Sequence, residues 1–336
     1  MAIAELVEGC LIDLVNKILI LSLLALGYQS ASAQLVTQSF GTGANAFNID
    51  FVTIGNPGNA ADTTGYPNSV GSVAYTYILG KYEISRDQIE KASLAGGLGI
   101  TLHPMDTIGS SRFYSNLGQD RPATGVNWYE AAKFVNWLNT STGGTAAYKF
   151  DGSGNMQLWT PGDVGYNSGN LFRNANAKFV IPTVDEWYKG AYGSSSGTWW
   201  NYPNGSNSKP SPVSDGTLFN TAVYGQPDYM GPANIDDAGG LSSFGTMAQG
   251  GNVSEWMENA YDGTNNDVSE SRVSRGGSWQ NLSGSSNWSN AWDQQTGSYD
   301  SSNNLGFRIA MVPEPSALSL LAIGLSGLAM LRSRRS

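Results

Sequence analysis

RVSRGGSW (residues 272–279) and NNLGFRIA (residues 303–310) bracket a loop rich in Ser, Asn and Trp, and these two blocks decide the fold. Gly276-Gly277 sits where a backbone must turn or lie close against another segment, because glycine alone has no Cβ to obstruct it. Leu305-Gly306-Phe307-Arg308-Ile309-Ala310 reads as a last buried strand, with Phe307 and Ile309 on one face.

Working outward, three helices carry the same local start signal. Ser85 with Gln88, Asn127 with Glu130, and Thr183 with Glu186 are capping boxes, in which the first side chain and the fourth satisfy each other's backbone donors. The second helix places Trp128, Ala131, Ala132, Val135 and Leu138 on one face and ends near Thr140, before Gly143-Gly144. Upstream, FNIDFV (47–52) is an opening strand. Val73, Tyr75 and Tyr77 alternate with Ala74 and Thr76, which predicts a half-buried strand leading into the first helix. Residues 199–212 form a turn-rich insertion without periodicity, in which Trp199 and Trp200 are expected to cover the core.

RGGSW and LGFR resemble two blocks of the sulfatase-modifying-factor family, whose best-known members are the formylglycine-generating enzymes. GKYEISRDQ (80–88), VNWYEAAKFVNWLN (126–139) and IPTVDEWYKGAYG (181–193) resemble further family blocks in the same order. The resemblance implies an α+β fold: a single irregular, loop-rich domain, elaborated from a C-type-lectin-like scaffold. Agreement of local signals with family order is what makes the fold legible. The expected organisation is a leader over 1–33, an N-terminal segment with the opening strand over 34–70, the family domain over 71–311, and a sorting tail over 312–336.

Composition bounds the chemistry. The chain has 336 residues, 40% of them hydrophobic, 42 glycines and a formal net charge of −9. Such a balance suits a loop-rich domain with a real core, and it speaks against nucleic acid as a partner. The one cysteine, Cys10, lies in the leader, and His103 is the one histidine. A mature domain without Cys10 has no disulfide and no thiolate, and a multi-histidine metal site is excluded.

The family's enzymes place two cysteines in the loop after RGGSW, which bind copper and process a substrate cysteine with oxygen. Ungapped counting puts Ser286 and Ala291 there. Serine is a poor soft-metal ligand and alanine is none, so no copper and no formylglycine generation are expected. Some family relatives vary this same loop to change ligand. Here the expected ligand-binding residues are Trp279, Asn281, Asn287, Trp288, Asn290 and Trp292, because flat aromatics with adaptable amides suit sugar or protein surfaces. The bland alternative makes the tryptophans core and the amides solvated loop.

Calcium takes about six to eight oxygens, and the family carries two such sites. Alignment places the first at Asn220, Thr221, Asp228 and Met230, and the second at Gly251, Val253 and Glu255, with Ala248 offering no side-chain oxygen where one is needed. In the alternative, Asn220 and Asp228 are turn residues and Glu255 is a buried acid hydrogen-bonded to loop amides.

The ends read as sorting signals. The apolar run 18–26 followed by Ala31-Ser32-Ala33 resembles a secretory leader cut before Gln34. Glu5, Glu8 and Asp13 are wrong for its start, which suggests initiation near Leu14 or Val15. Pro313-Glu314-Pro315, the apolar run 317–331 and Arg332, Arg334 and Arg335 resemble the PEP-CTERM signal. That resemblance implies signal peptidase and an exosortase as processing partners and transient anchoring in the inner membrane through the tail. It also implies a final place at a Gram-negative cell surface or in its matrix. The expected function is non-catalytic binding, with a polysaccharide or surface protein as ligand, or a passive matrix role. The competing class is a sulfatase-modifying oxidoreductase.

Overall fold

The computed structural model describes residues 34–67, 69–103, 118–227, 230–281 and 294–313. In chain order the elements are β1 (Leu35–Phe40), β2 (Phe47–Ile54), β3 (Tyr77–Gly80), α1 (Arg86–Gly96), α2 (Trp128–Ser141), β4 (Lys149–Phe150), β5 (Met156–Gln157), β6 (Phe179–Val180) and α3 (Val184–Tyr192). There follow β7 (Ser211–Pro212), β8 (Thr221–Ala222), β9 (Ser254–Ala260), β10 (Arg272–Arg275), β11 (Gln294–Thr296), β12 (Leu305–Gly306) and β13 (Ala310–Met311). One sheet has five strands in the order β1-β2-β3-β13-β6, and a second has four in the order β11-β10-β9-β12. Long connections without regular structure join them, as the glycine count foretells.

All three helix starts form as expected. Ser85, Asn127 and Thr183 each accept from the backbone N–H three residues on, and Gln88, Glu130 and Glu186 each reach back to the cap. Each box satisfies two donors that a bare helix end would leave open, which stabilises it by about 1 kcal/mol. The inner face of α2 is fully buried: Trp128, Ala131, Ala132, Phe134, Val135 and Leu138 have no solvent exposure. It packs with Phe47, Phe51 and Phe179 of the five-stranded sheet in the main core.

Two strand expectations change. The alternation over 73–77 yields a strand only from Tyr77, because the segment before it spends its backbone bonds elsewhere. The Asn59 amide donates to the Gly71 carbonyl and its oxygen accepts from Val73 N–H, while Gly58 N–H bonds the Val73 carbonyl. The strand expected over 305–310 is not one strand but two in different sheets. Leu305 and Gly306 run parallel to Ser254 and Glu255 of β9, while Ala310 pairs with Leu79 and Val180. Phe307 and Ile309 are both fully buried, as expected, and the backbone crosses between sheets at Arg308. The Phe307 carbonyl takes Ile84 N–H and the Ile309 carbonyl takes Gly80 N–H, so the crossing stays hydrogen-bonded.

Trp199 packs on Tyr188, with ring centroids 5.6 Å apart, and it and Trp200 are half-buried, which fits their expected covering role.

Candidate functional site

The two glycines of RGGSW turn the chain out of β10 with positive φ, +96° at Gly276 and +71° at Gly277. A Cβ on Gly276 would stand 3.0 Å from the Gln249 carbonyl oxygen and 3.3 Å from Trp187, so this turn also needs close approach. Arg275, just before it, lies over the rings of Tyr188 and Trp187 and donates to the Tyr66 carbonyl at 2.6 Å. The turn is then locked from both sides. The Asn281 carboxamide oxygen accepts from Ser278 N–H, and its backbone carbonyl accepts from Gly225 N–H at 3.0 Å. Trp279 donates its backbone N–H to the Asn252 carbonyl, and its backbone carbonyl accepts from Gln226 N–H.

Below this turn lies a buried charge centre. Glu255 of β9 has no solvent exposure. Its two oxygens accept from Arg308 at 2.6 Å each, and Oε2 also accepts from the Trp187 indole at 2.8 Å. Arg308 completes its donors on the carbonyls of Gly80 and Met247. Glu83 stands beside them, accepting from the Asn252 amide at 2.6 Å and Val253 N–H at 3.1 Å. Burial, with the Glu255 charge next, pushes the Glu83 carboxyl well above the usual carboxylate range. The centre ties the sheet crossing to the floor of the loop.

Of the residues expected to bind ligand, Trp279 is fully buried and packs with Val223, Ala233, Met247 and Val253, so it offers no surface. Asn281 is half-buried and acts on the turn itself. Asn287, Trp288, Asn290 and Trp292, with the family cysteine positions Ser286 and Ala291, lie outside the described residues. The stems of that loop are placed: Gln294–Thr296 pairs with β10, and Asn304 donates to Gln280 at 3.0 Å. Beside the β11 stem an exposed Tyr299 packs against Tyr129, with ring centroids 4.6 Å apart and planes tilted by 50°, a feature that sequence periodicity did not signal. The Tyr129 hydroxyl, which donates to the Val268 carbonyl, is pushed up by burial.

The calcium sets fare differently. Asn220 has positive φ, +61°, and its side-chain oxygen accepts from Asn204 at 2.6 Å. The Thr221 carbonyl accepts from Gly240 N–H, Met230 N–H bonds the Pro227 carbonyl, and Asp228 lies outside the described residues. The described contacts therefore do not join Asn220 and Thr221 to Met230. In the second set, Gly251 and Val253 flank Asn252, whose amide and carbonyl brace Ala233 and Trp279. Glu255 does not fit a calcium site here, because the Arg308 guanidinium occupies both its oxygens where a metal would sit. That is the buried-acid alternative, with an arginine rather than loop amides as its main partner.

His103 holds the other flank. Its backbone N–H bonds the Thr124 carbonyl, and Arg86 donates to its backbone carbonyl at 3.0 Å. Burial, with Arg86 next, lowers its imidazole below the ordinary value, which favours the neutral form near pH 7. Among the described residues no thiol accompanies it. Sequence reasoning also missed a second buried ion cluster. Arg173 bonds Glu186 and Glu258, which also accept from Tyr75, Tyr148 and Asn170. The signal was half present, since Glu186 had already been read as a cap, and it serves both duties.

Residues 48–312 match the sulfatase-modifying factor enzyme 1-like domain. No curated protein matches the chain. Among solved structures, Treponema denticola variable protein 1 superposes with a TM-score of 0.58 at 20% identity, covering 83% of this chain and 99% of that one. The crystal structure of CarF superposes with a TM-score of 0.50 at 21% identity, covering 79% and 98%. At such identities these likenesses show the fold alone. With most of its length matched and all its helix-start signals in family order, the chain belongs to the sulfatase-modifying factor enzyme 1-like family.

Proposed function

We propose that this protein is an exported, non-catalytic binding or structural member of its family, sorted to a Gram-negative cell surface or exopolysaccharide matrix. The observation that carries the reading is the cysteine count. The chain's one cysteine is Cys10, and the aligned loop positions hold Ser286 and Ala291. Without a thiolate the family's copper chemistry has neither its metal ligand nor its reactive group. The tail supports export, with Pro-Glu-Pro, an apolar run and an arginine cluster in order. Exosortase and signal peptidase are the processing partners in this reading, and the domain that remains starts with β1 and β2, which share the sheet of β3 and β13.

Binding is assigned to the loop between the two family blocks, through Asn287, Trp288, Asn290 and Trp292. A rigid base supports this: Asn281 locks the Ser278 turn, and Trp279 is anchored by two backbone bonds. A loop held at both ends loses less entropy on binding. Calcium is proposed for the Asn220, Thr221, Asp228 and Met230 set, where an amide, a carboxylate and carbonyls supply suitable oxygens. There it would order the segment next to Gln226, which bonds Trp279.

The deciding experiment is binding of the purified chain to exopolysaccharide from its source bacterium, in calcium and in chelator. Saturable binding lost in chelator supports a calcium-ordered binding surface, and binding indifferent to chelator removes the metal. No binding by a folded chain moves the assignment to a protein ligand or a passive matrix role. Family membership favours one competing reading, a sulfatase-modifying oxidoreductase. Conversion of a cysteine peptide to formylglycine by the copper-supplied chain would establish it and overturn ours.

A further inference from the structure

A groove of about 400 Å³ opens elsewhere on the domain, between the C-terminal end of α1, one face of α2, and β4. Lys133, Asn136, Trp137 and Thr140 line it from α2, at the spacing that places side chains on one helix face. This face is separate from the buried stripe of Trp128, Val135 and Leu138. Phe150 forms the opposite wall, and Gly96, Gly97 and Leu98 form the end.

Trp137 is a fixed platform. Its ring stacks on Phe47, with centroids 5.8 Å apart and planes 23° from parallel. On another side, a Cβ at Gly96 would stand 2.4 Å from its Cδ1, so the glycine lets the indole seat there. The Lys133 ammonium sits 5.7 Å from the Phe150 ring centroid and is the one charged side chain of the lining. No acid is among the described residues that line the groove. The polar groups on the floor are already committed: Asn136 bonds both backbone groups of Tyr148, and Thr140 donates to the Asn136 carbonyl.

An aromatic platform, a second aromatic wall and one point-like cation make a specific chemical demand. The ligand needs a flat, largely apolar face beside a single negative group. Phosphate is better held by arginine forks, and no arginine is among the described lining residues. A pyranose carrying a carboxylate fits: its C–H face lies on Trp137 and its carboxylate reaches Lys133. We propose that this groove is a binding site for an acidic sugar unit, a uronate within a polysaccharide, separate from the loop of the proposed function.

The test is calorimetric titration of the full-length chain with a tetragalacturonate and with its carboxyl-reduced, neutral counterpart. The acidic oligosaccharide is expected to bind, and the neutral one to bind at least tenfold more weakly, as for loss of about one charge-assisted hydrogen bond. Lys133→Met should cost the acidic ligand about the same factor, while Lys133→Arg retains most of the affinity. Trp137→Phe keeps a ring on Phe47 and should weaken both ligands, and Lys209→Met, an exposed lysine outside the groove, should change neither. A folded wild type that binds neither ligand overturns the proposal, as does equal affinity for both. So does a Lys133→Met variant that binds like wild type. Loss on Trp288→Ala with Lys133→Met unaffected would place the acidic sugar on the loop, overturning this site and leaving the loop reading intact.

Discussion

Two arginines of this domain are buried completely, and the protein neutralises them in opposite ways. Arg308 meets a carboxylate, with two contacts of 2.6 Å to Glu255, and spends its remaining donors on backbone carbonyls. Arg272 meets π-faces. Its guanidinium lies 4.0 Å from the Phe172 centroid and 4.4 Å from that of Trp128. Its Nε and Nη1 have no hydrogen-bond partner, and its one donated bond is a long 3.4 Å to the Val268 carbonyl. Burial lowers the Arg272 pKa, as expected where the charged form is only partly compensated. The lesson is that similar burial of the same side chain carries different debts. Removing Arg308 strands its hydrogen-bonded partner's charge, whereas removing Arg272 breaks no ion pair and takes from Glu270 only a nearby charge.

This contrast is open to test by substitution. Arg308→Met is expected to have the largest effect, on the order of 3–5 kcal/mol, because it leaves Glu255 buried and unpaired beside Glu83. Urea unfolding monitored by far-UV dichroism measures it, and a loss comparable to that of Arg272→Met would break the distinction. Arg272→Met, of similar length, should cost about 2 kcal/mol, the value of a desolvated cation–π contact.

Glu83→Gln sharpens the picture at the Arg308 centre, and its effect should depend on pH. Burial holds the folded Glu83 carboxyl well above the ordinary 4.5. Its contribution is therefore fully present below about pH 4.5 and is lost as pH rises toward the folded value. Thermal midpoints of wild type and variant should accordingly diverge in the variant's favour from pH 5 to pH 8. A constant difference would mean that Glu83 stays charged in the folded protein.

Lys189 extends the series to a buried cation with neither acid nor ring. Its ammonium bonds the Asn56 carbonyl at 2.8 Å, and burial lowers its pKa to about 8. A lowered lysine pKa penalises the fold below that value, so stability should rise as pH climbs from about 8 toward the ordinary 10.5. Lys189→Met should abolish that rise. An unchanged slope would overturn the assignment to Lys189, since the buried tyrosines, with their pKa values pushed up, make stability fall rather than rise as pH climbs.

What the sequence alone determined is local. Ser85, Asn127 and Thr183 start their helices as read, since a cap needs only a partner three residues away. Gly276-Gly277 turns as read, and the α2 stripe is buried as read, because helical periodicity is a property of neighbours in the chain. The family followed from blocks of such local features in order. What only the tertiary structure decided is where distant segments spend their polar groups. The 305–310 stretch looked like one strand, yet Glu255, 53 residues before Arg308, draws that arginine inward and the chain changes sheets around it. Trp279 and Trp137 look alike in sequence, and packing alone buries the first in the core and leaves the second lining a groove. Burial and charge pairing are sums over all neighbours in space, and no short window of sequence contains those neighbours.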